Sequence, residues 1–289
     1  MTPSKKDLLH DCCIISQKKT FLIKVKPKYN YNPVIRFSLQ YITFEIMWPV
    51  CKKEFRQFFS SLTGIIALAV FLLLNGLYLF VFPETNILDF GYATLDNFFA
   101  FAPWIFTFLV PAITMRSFSE EFKAGTYEIL QTRPLGHGRL IMGKYLGALL
   151  IVLMALLPTL VYAVSIQALS AGNAGIDTGG AIGSYIGLFF LAAVFTAIGI
   201  CCSSVTNNAV AAFIISAFAC FIVYTGFGAI SRIPAFSGGA DYYLEMLGID
   251  FHYRSISRGV IDSRDIIYFG SIIAFFLLLT RQKLIKRKP

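Results

Sequence analysis

Apolar and polar positions along this chain separate into long blocks instead of alternating finely. Six blocks are apolar for about the length a membrane crossing needs, roughly 20 residues for 30 Å of hydrocarbon. They run from Leu62 to Phe82, Phe98 to Met115, Tyr145 to Ala168, Ala181 to Cys202, Asn208 to Ile230 and Ile266 to Thr280. The last is short and is expected to begin earlier, inside the preceding loop. Just ahead of the first block, "KKEFRQFFSSL" sets Phe55, Phe58, Phe59 and Leu62 at i, i+3, i+4 and i+7, with Lys52, Lys53 and Arg56 on the other side. That spacing predicts an amphipathic helix lying in the headgroup layer. The alternative is a plain cytoplasmic start to the first span.

Composition agrees with the pattern. Of 289 residues, 56% are hydrophobic and only 14% charged, with a mean hydropathy of +0.68. A soluble domain carries about 25% charged residues, so this chain has too few to cover a water-facing surface. Its net charge of +9 is explained by where the lysines and arginines fall. Residues 47–61 hold three, 116–144 five and the tail from Arg281 five; the alternate connections hold none, none and four. Cytoplasmic loops carry that excess, so both termini and the polar loop are expected in the cytoplasm, and no nucleic-acid partner is implied. The expected fold is an all-α integral membrane protein: six transmembrane helices, an N-terminal interfacial helix and a cytoplasmic coupling loop. Residues 1–46 contain neither a clear span nor a signal peptide. They are expected to be a disordered extension or a mis-assigned start before Met47, with 47–289 forming the membrane domain.

Cysteines and histidines add little chemistry. The six cysteines show no C-x-x-C spacing and read as packing residues. His10, His137 and His252 are scattered singly, so no metal cluster is expected. No Ser/His or paired-carboxylate site argues for an intramembrane enzyme. No ionisable residue sits at mid-span, which argues against an ion-driven carrier.

The stretch "EEFKAGTYEILQTRPLGHGRLIMGKYLG", Glu120 to Gly147, is the polar exception. Gly138 to Tyr145 spells G-x-x-x-x-G-K but lacks the Ser or Thr that binds Mg²⁺ and the strand that should precede it. The preceding part reads as a short helix with Ser119 as its N-cap, an interruption at Gly125, a second short helix opening at Thr126, and a stop at Pro134. The plainer reading is a solvated loop.

These residues carry a resemblance. "SEEFKAGTYEILQTRPL" with "GKYLG" is similar to the cytoplasmic loop of ABC-2 type transporter permeases, matching at Glu121, Gly125, Thr126, Glu128, Leu130, Pro134 and Lys144. The segment Gly248 to Phe269, and "KKEFRQFFSSLTGII" near the start, resemble permeases of the gliding-motility ABC transporter of Bacteroidetes. Permeases of nitrous-oxide-reductase maturation systems share the core Arg258, Gly259 and Asp262. The resemblance implies a permease of the bacterial inner membrane that binds no cofactor itself, with ATP and Mg²⁺ on a partner. Its partners would be an ABC ATP-binding subunit docking on the loop, a second permease subunit in a homo- or heterodimer, and the lipid bilayer. Ile129 and Leu130 would anchor that interface. Drug, lipid or polysaccharide export and a non-transporting membrane anchor are the competing roles.

Two further features bear on packing. Gly175, Gly179, Gly183 and Gly187 recur every four residues, expected as a turn running into a close-packed face formed by the last three. Pro103, Pro111 and Pro158 fall inside spans, where kinks are expected if neighbours satisfy the freed carbonyls.

Overall fold

In hydrocarbon every backbone N–H and C=O must find an internal partner, and each apolar block answers by folding as a helix. The computed structural model describes residues 47–83, 85–87, 94–128, 136–169, 177–233, 240–260 and 262–287, with no strand among them. The extension 1–46, and with it the proposed start at Met47, lies outside the described residues.

Helix α1 covers residues 47–59, and α2 spans Leu62–Phe80. The hydroxyl of Ser61 accepts the Gly64 N–H at 3.2 Å, so α2 has its own N-cap and α1 is a separate helix. Helix α3 (Asp96–Thr114) passes through Met115 into α4 (Arg116–Lys123). Helix α5 (His137–Leu156) tightens at Pro158 into a 3-10 turn, Leu157–Thr159, before α6 (Leu160–Leu169). Helix α7 covers Thr178–Ser203. Helix α8 (Ala209–Phe221) runs through a π turn, Ile222–Gly226, into α9 (Phe227–Ser231). Two short helices follow, α10 (Ala240–Met246) and α11 (Ile249–Ser257), and then α12 (Ser263–Lys286). Six apolar helical stretches are long enough to cross a membrane, and they coincide with the six blocks. The last begins at Ser263, as its short apolar core requires.

Helix α7 is the axis of the bundle, packed against α3, α5, α8, α11 and α12. Its small residues make this possible. Ala192, Ala193 and Ala197 are buried in the core, and Gly199 lies so close to Thr114 of α3 that a Cβ there would overlap it. In lipid, close backbone approach substitutes for the missing hydrophobic drive between helices.

The first of the two prolines in α3 shows how the bundle repairs a broken ladder. Pro103 has no N–H to give to the carbonyl of Phe99, and the Tyr253 hydroxyl on α11 donates to that carbonyl at 2.7 Å. At Pro158, Thr159 donates to the Leu156 carbonyl at 2.7 Å, and Tyr185 to that of Thr159 at 3.0 Å.

Candidate functional site

At the end of the bundle where α3 and α7 finish, α1, α4 and the first turns of α5 meet. Gly143 and Gly147, four residues apart on α5, form the seat for α1. A Cβ on Gly143 would fall 3.0 Å from the Val50 side chain, and one on Gly147 would fall 2.9 Å from Cβ of Glu54 and 3.2 Å from the Cys51 carbonyl. Between the two glycines stands Lys144, only 1% exposed.

Its ammonium lies 2.6 Å from Glu54 on α1, 2.9 Å from Glu121 on α4 and 2.5 Å from the Ser117 carbonyl. All three of its donors are thereby used. It also sits over the Phe118 ring, 4.9 Å from the centroid. Lys53 reaches Glu121 from the solvent side at 2.8 Å. Two cations thus face two carboxylates, and this local neutrality, with all three ammonium donors used, is what makes the buried lysine tolerable, although Oε2 of Glu121 is left without a hydrogen-bond partner among the described residues. Gln57 adds a bond to Glu120 at 3.2 Å.

The other side of α4 is fastened by a ladder of rings. Phe118 stacks on Phe122 at 5.9 Å, and Tyr127 meets Phe122 edge-on at 4.9 Å. The Arg287 guanidinium covers Phe122 at 3.8 Å. The α3–α4 junction is held by Ser203 of α7, whose hydroxyl accepts the N–H groups of Phe118 (3.0 Å) and Ser119 (3.2 Å) and donates to the Met115 carbonyl (3.1 Å). Ser119 is not the N-cap that the sequence suggested. Helix α4 begins at Arg116, and the buried Ser119 hydroxyl bonds back to the Met115 carbonyl inside it; the cap function passes to Ser203 from another helix. Removing it in Ser203→Ala strands two amide donors, an expected loss of about 1–3 kcal/mol, measurable as a lower unfolding midpoint in detergent.

The loop residues therefore divide. Glu121 and Lys144 point inward and hold the assembly together. Lys123, Gly125, Thr126 and Glu128 are exposed at the tip. Gly125 adopts φ +67°, the left-handed conformation that ends α4, with nothing within 4 Å of where its Cβ would be. Residues 126–128 begin a second helical turn. Ile129, Leu130 and Pro134 lie outside the described residues. The G-x-x-x-x-G-K stretch is not a phosphate loop: Gly138, Gly143 and Lys144 all lie in α5, a continuous helix with no loop to wrap a phosphate, and Lys144 is buried among carboxylates.

Helix α1 forms where the spacing predicts an amphipathic helix. It is docked on the bundle, with Phe55 and Phe58 half-buried against the core and Phe59 at the exposed edge. Its packing face includes Val50, Cys51 and Glu54, so a carboxylate sits where the periodicity marked only phenylalanines. Burial pushes the Cys51 thiol up from its usual range, and the Glu54 carboxylate adds to the effect. Sequence reasoning missed Glu54, Lys53, Ser117 and Ser203. The one available signal was that Glu54 shares a helix face with Cys51 and Phe58.

At the opposite end, two groups of sequence-marked residues come together. A Cβ on Gly183 would lie 2.6 Å from the Ile256 carbonyl and 2.7 Å from Cα of Gly259, and one on Gly187 would lie 3.2 Å from the Tyr253 ring. Gly259, at φ +83°, turns the chain beyond α11 against the backbone of Gly179. Asp262 accepts the Arg264 N–H at 3.1 Å and caps α12. Arg258 lines a cavity beside α11.

Among the described residues, six membrane-length helices arranged around a buried axis, with a polar helix anchored at one end, define a polytopic membrane protein. The family model for ABC-2 family transporter proteins matches residues 48–236, more than half of the chain, and the chain belongs to that family. No curated protein matches it. Membership makes it the transmembrane component of an ABC transporter, of a family whose members lack an ATP-binding site of their own, and implies an ABC ATPase as partner.

Proposed function

We propose that this chain is the permease subunit of an ABC transporter in a bacterial inner membrane, with both termini and the α4 end in the cytoplasm. A separate ATP-binding subunit docks on the tip at Lys123 to Glu128 and on the loop that follows. One observation carries this reading: the four-charge cluster of Lys53, Glu54, Glu121 and Lys144 beneath that tip. It ties α4 to α1 and α5, so a push received at the tip moves three elements together.

ATP and Mg²⁺ belong to the partner. Closure of two ATPase subunits biases two arrangements of a permease pair, identical or not, and shifts the population between them. The excess of basic residues on the α4 side supports the orientation. The resemblance over Gly248 to Phe269 supports a role in gliding motility. Nitrous-oxide-reductase maturation, which shares the Arg258–Asp262 core, is the second reading.

Purification through a C-terminal tag should bring down a near-stoichiometric ATPase with a complete phosphate loop. Companions from gliding or from copper maturation separate the two roles. Glu128→Lys and Gly125→Val should each reduce ATPase recovery by about tenfold, some 1.4 kcal/mol of docking energy, with membrane insertion unchanged because both positions are exposed. Undiminished recovery would remove the tip from the interface. Lost assembly with an unchanged ATPase rate would favour a non-transporting anchor.

A further inference from the structure

At the end opposite α4, a cavity of about 870 Å³ opens among the N-terminal turns of α3 and α7, the π turn and α11. That volume lies within the range of small-molecule sites. Three arginines and three aspartates line it, and they are not equivalent. Asp250 is spent on Arg254, with contacts of 2.6 and 3.1 Å. Asp177 is spent on the first amides of α7, accepting from Gly179 at 3.1 Å and Gly180 at 3.2 Å. The side chains of Arg232, Arg258 and Asp96 have no ion pair or hydrogen bond among the described residues. The side-chain charge left unpaired is thus positive by one, while the starts of α3 and α7 are already met by Asp96 and Asp177.

The remaining wall is aromatic. Phe99, Trp104, Tyr224 and Tyr253 face the cavity, with Trp104 edge-on to Tyr224 at 5.8 Å. Tyr224 and Thr225 belong to the π turn, an irregularity that in other proteins often marks a functional site. From Trp104 an exposed apolar stripe continues one turn along α3 to Phe108, and beside it Phe221 and Phe218 continue along α8. The charges stand where spans end, Asp96 opening α3 and Arg232 following α9. Cations at the ends of the spans therefore stand beside an exposed apolar face.

We propose that this cavity binds an amphipathic molecule with an anionic head, a phosphate or a carboxylate, held by Arg232 and Arg258 while its apolar body lies along Trp104, Phe108 and Phe221. Guanidinium suits such heads because its planar fork can pair with two oxygens at once. The proposal deepens the permease reading by assigning a substrate class to its outer side, and it rests on that reading only for the direction in which the ligand moves.

The chain has two tryptophans, so Trp48→Phe leaves Trp104 as the sole reporter inside the cavity. Dodecyl phosphate titrated into this variant in phosphatidylcholine nanodiscs should give a saturable change in its fluorescence. Adding Arg232→Gln and Arg258→Gln should weaken the apparent Kd by about tenfold or more, and uncharged dodecyl maltoside should give no saturation. Phosphatidylglycerol in the nanodisc distinguishes the sources: competition identifies a membrane lipid as the occupant, and its absence a free amphiphile. No saturable response, an equal response to the maltoside, or an affinity indifferent to both arginines would overturn the proposal. The measurement requires no ATPase, and Glu128→Lys should bind dodecyl phosphate like the parent, so failure of the coupling reading leaves a different signature.

Discussion

Lys144→Met is expected to destabilise the protein by about 3–5 kcal/mol, the usual result of removing one partner from a buried ion pair. The methionine fills similar volume but leaves Glu54 and Glu121, both previously within 2.9 Å of one ammonium, facing each other with Lys53 alone to neutralise them. Helix α1 should then lift from the Gly143–Gly147 seat. Cys51 reports this directly. In the parent its thiol is buried, with a pKa pushed up by that burial and by Glu54, so it should alkylate slowly at neutral pH. In Lys144→Met the rate, followed by peptide mapping, should approach that of an exposed thiol, and the unfolding midpoint should fall. Adding Glu54→Gln and Glu121→Gln removes the stranded charges and should recover part of the stability. If the triple variant unfolds no later than the single one, charge imbalance is not the cause. This also bears on docking experiments: altering Glu121 disturbs the platform beneath the tip, and a side chain at Gly125 strains its left-handed backbone, so Glu128 is the position that tests the interface most directly.

Gly183→Val is expected to have the next largest effect. The atoms its Cβ would meet, the Ile256 carbonyl at 2.6 Å and Cα of Gly259 at 2.7 Å, are backbone and have no rotamer through which to escape. The end of α11 must move. That strains the Ser184–Ser257 hydroxyl contact at 2.6 Å and the Tyr253 bond that repairs the Pro103 break. Overpacking of this kind costs about 1–3 kcal/mol or more, to which a lost buried hydrogen bond adds about 1–3 kcal/mol. Hydrogen exchange should rise across Ile249–Ser257, and dodecyl phosphate binding should fall because Arg258 shifts with that helix. Gly187→Ala is the comparison, since it meets only the Tyr253 ring at 3.2 Å and should be milder. Equal exchange in the two variants would show that the α7–α11 contact is looser than these distances imply.

Both experiments rest on contacts of unequal legibility. The Gly179, Gly183 and Gly187 spacing could be read from the chain, because small residues at a four-residue interval mark one helix face whatever packs on it. What packs on it could not: the occupants are Tyr253 and Ile256 of α11 and the turn at Gly259, from a distant part of the chain. At the other end, "GKYLG" was visible first as a spoiled phosphate loop and then as a family signature. Neither reading revealed that Gly143 and Gly147 seat α1 or that Lys144 is buried between them.

The sequence by itself determined the six crossings, the separate interfacial helix and the polar helix after the second span. These follow from a solvent that gives backbone groups no partners and from apolar runs long enough to cross it. Tertiary structure alone decided which charges are structural and which are free. Lys144 finds Glu54 from 90 residues away and Lys53 finds Glu121 from 68, while Arg232 and Arg258 are left facing a cavity. A charge's role depends on the dielectric and the partners around it, and those are set only when distant helices meet.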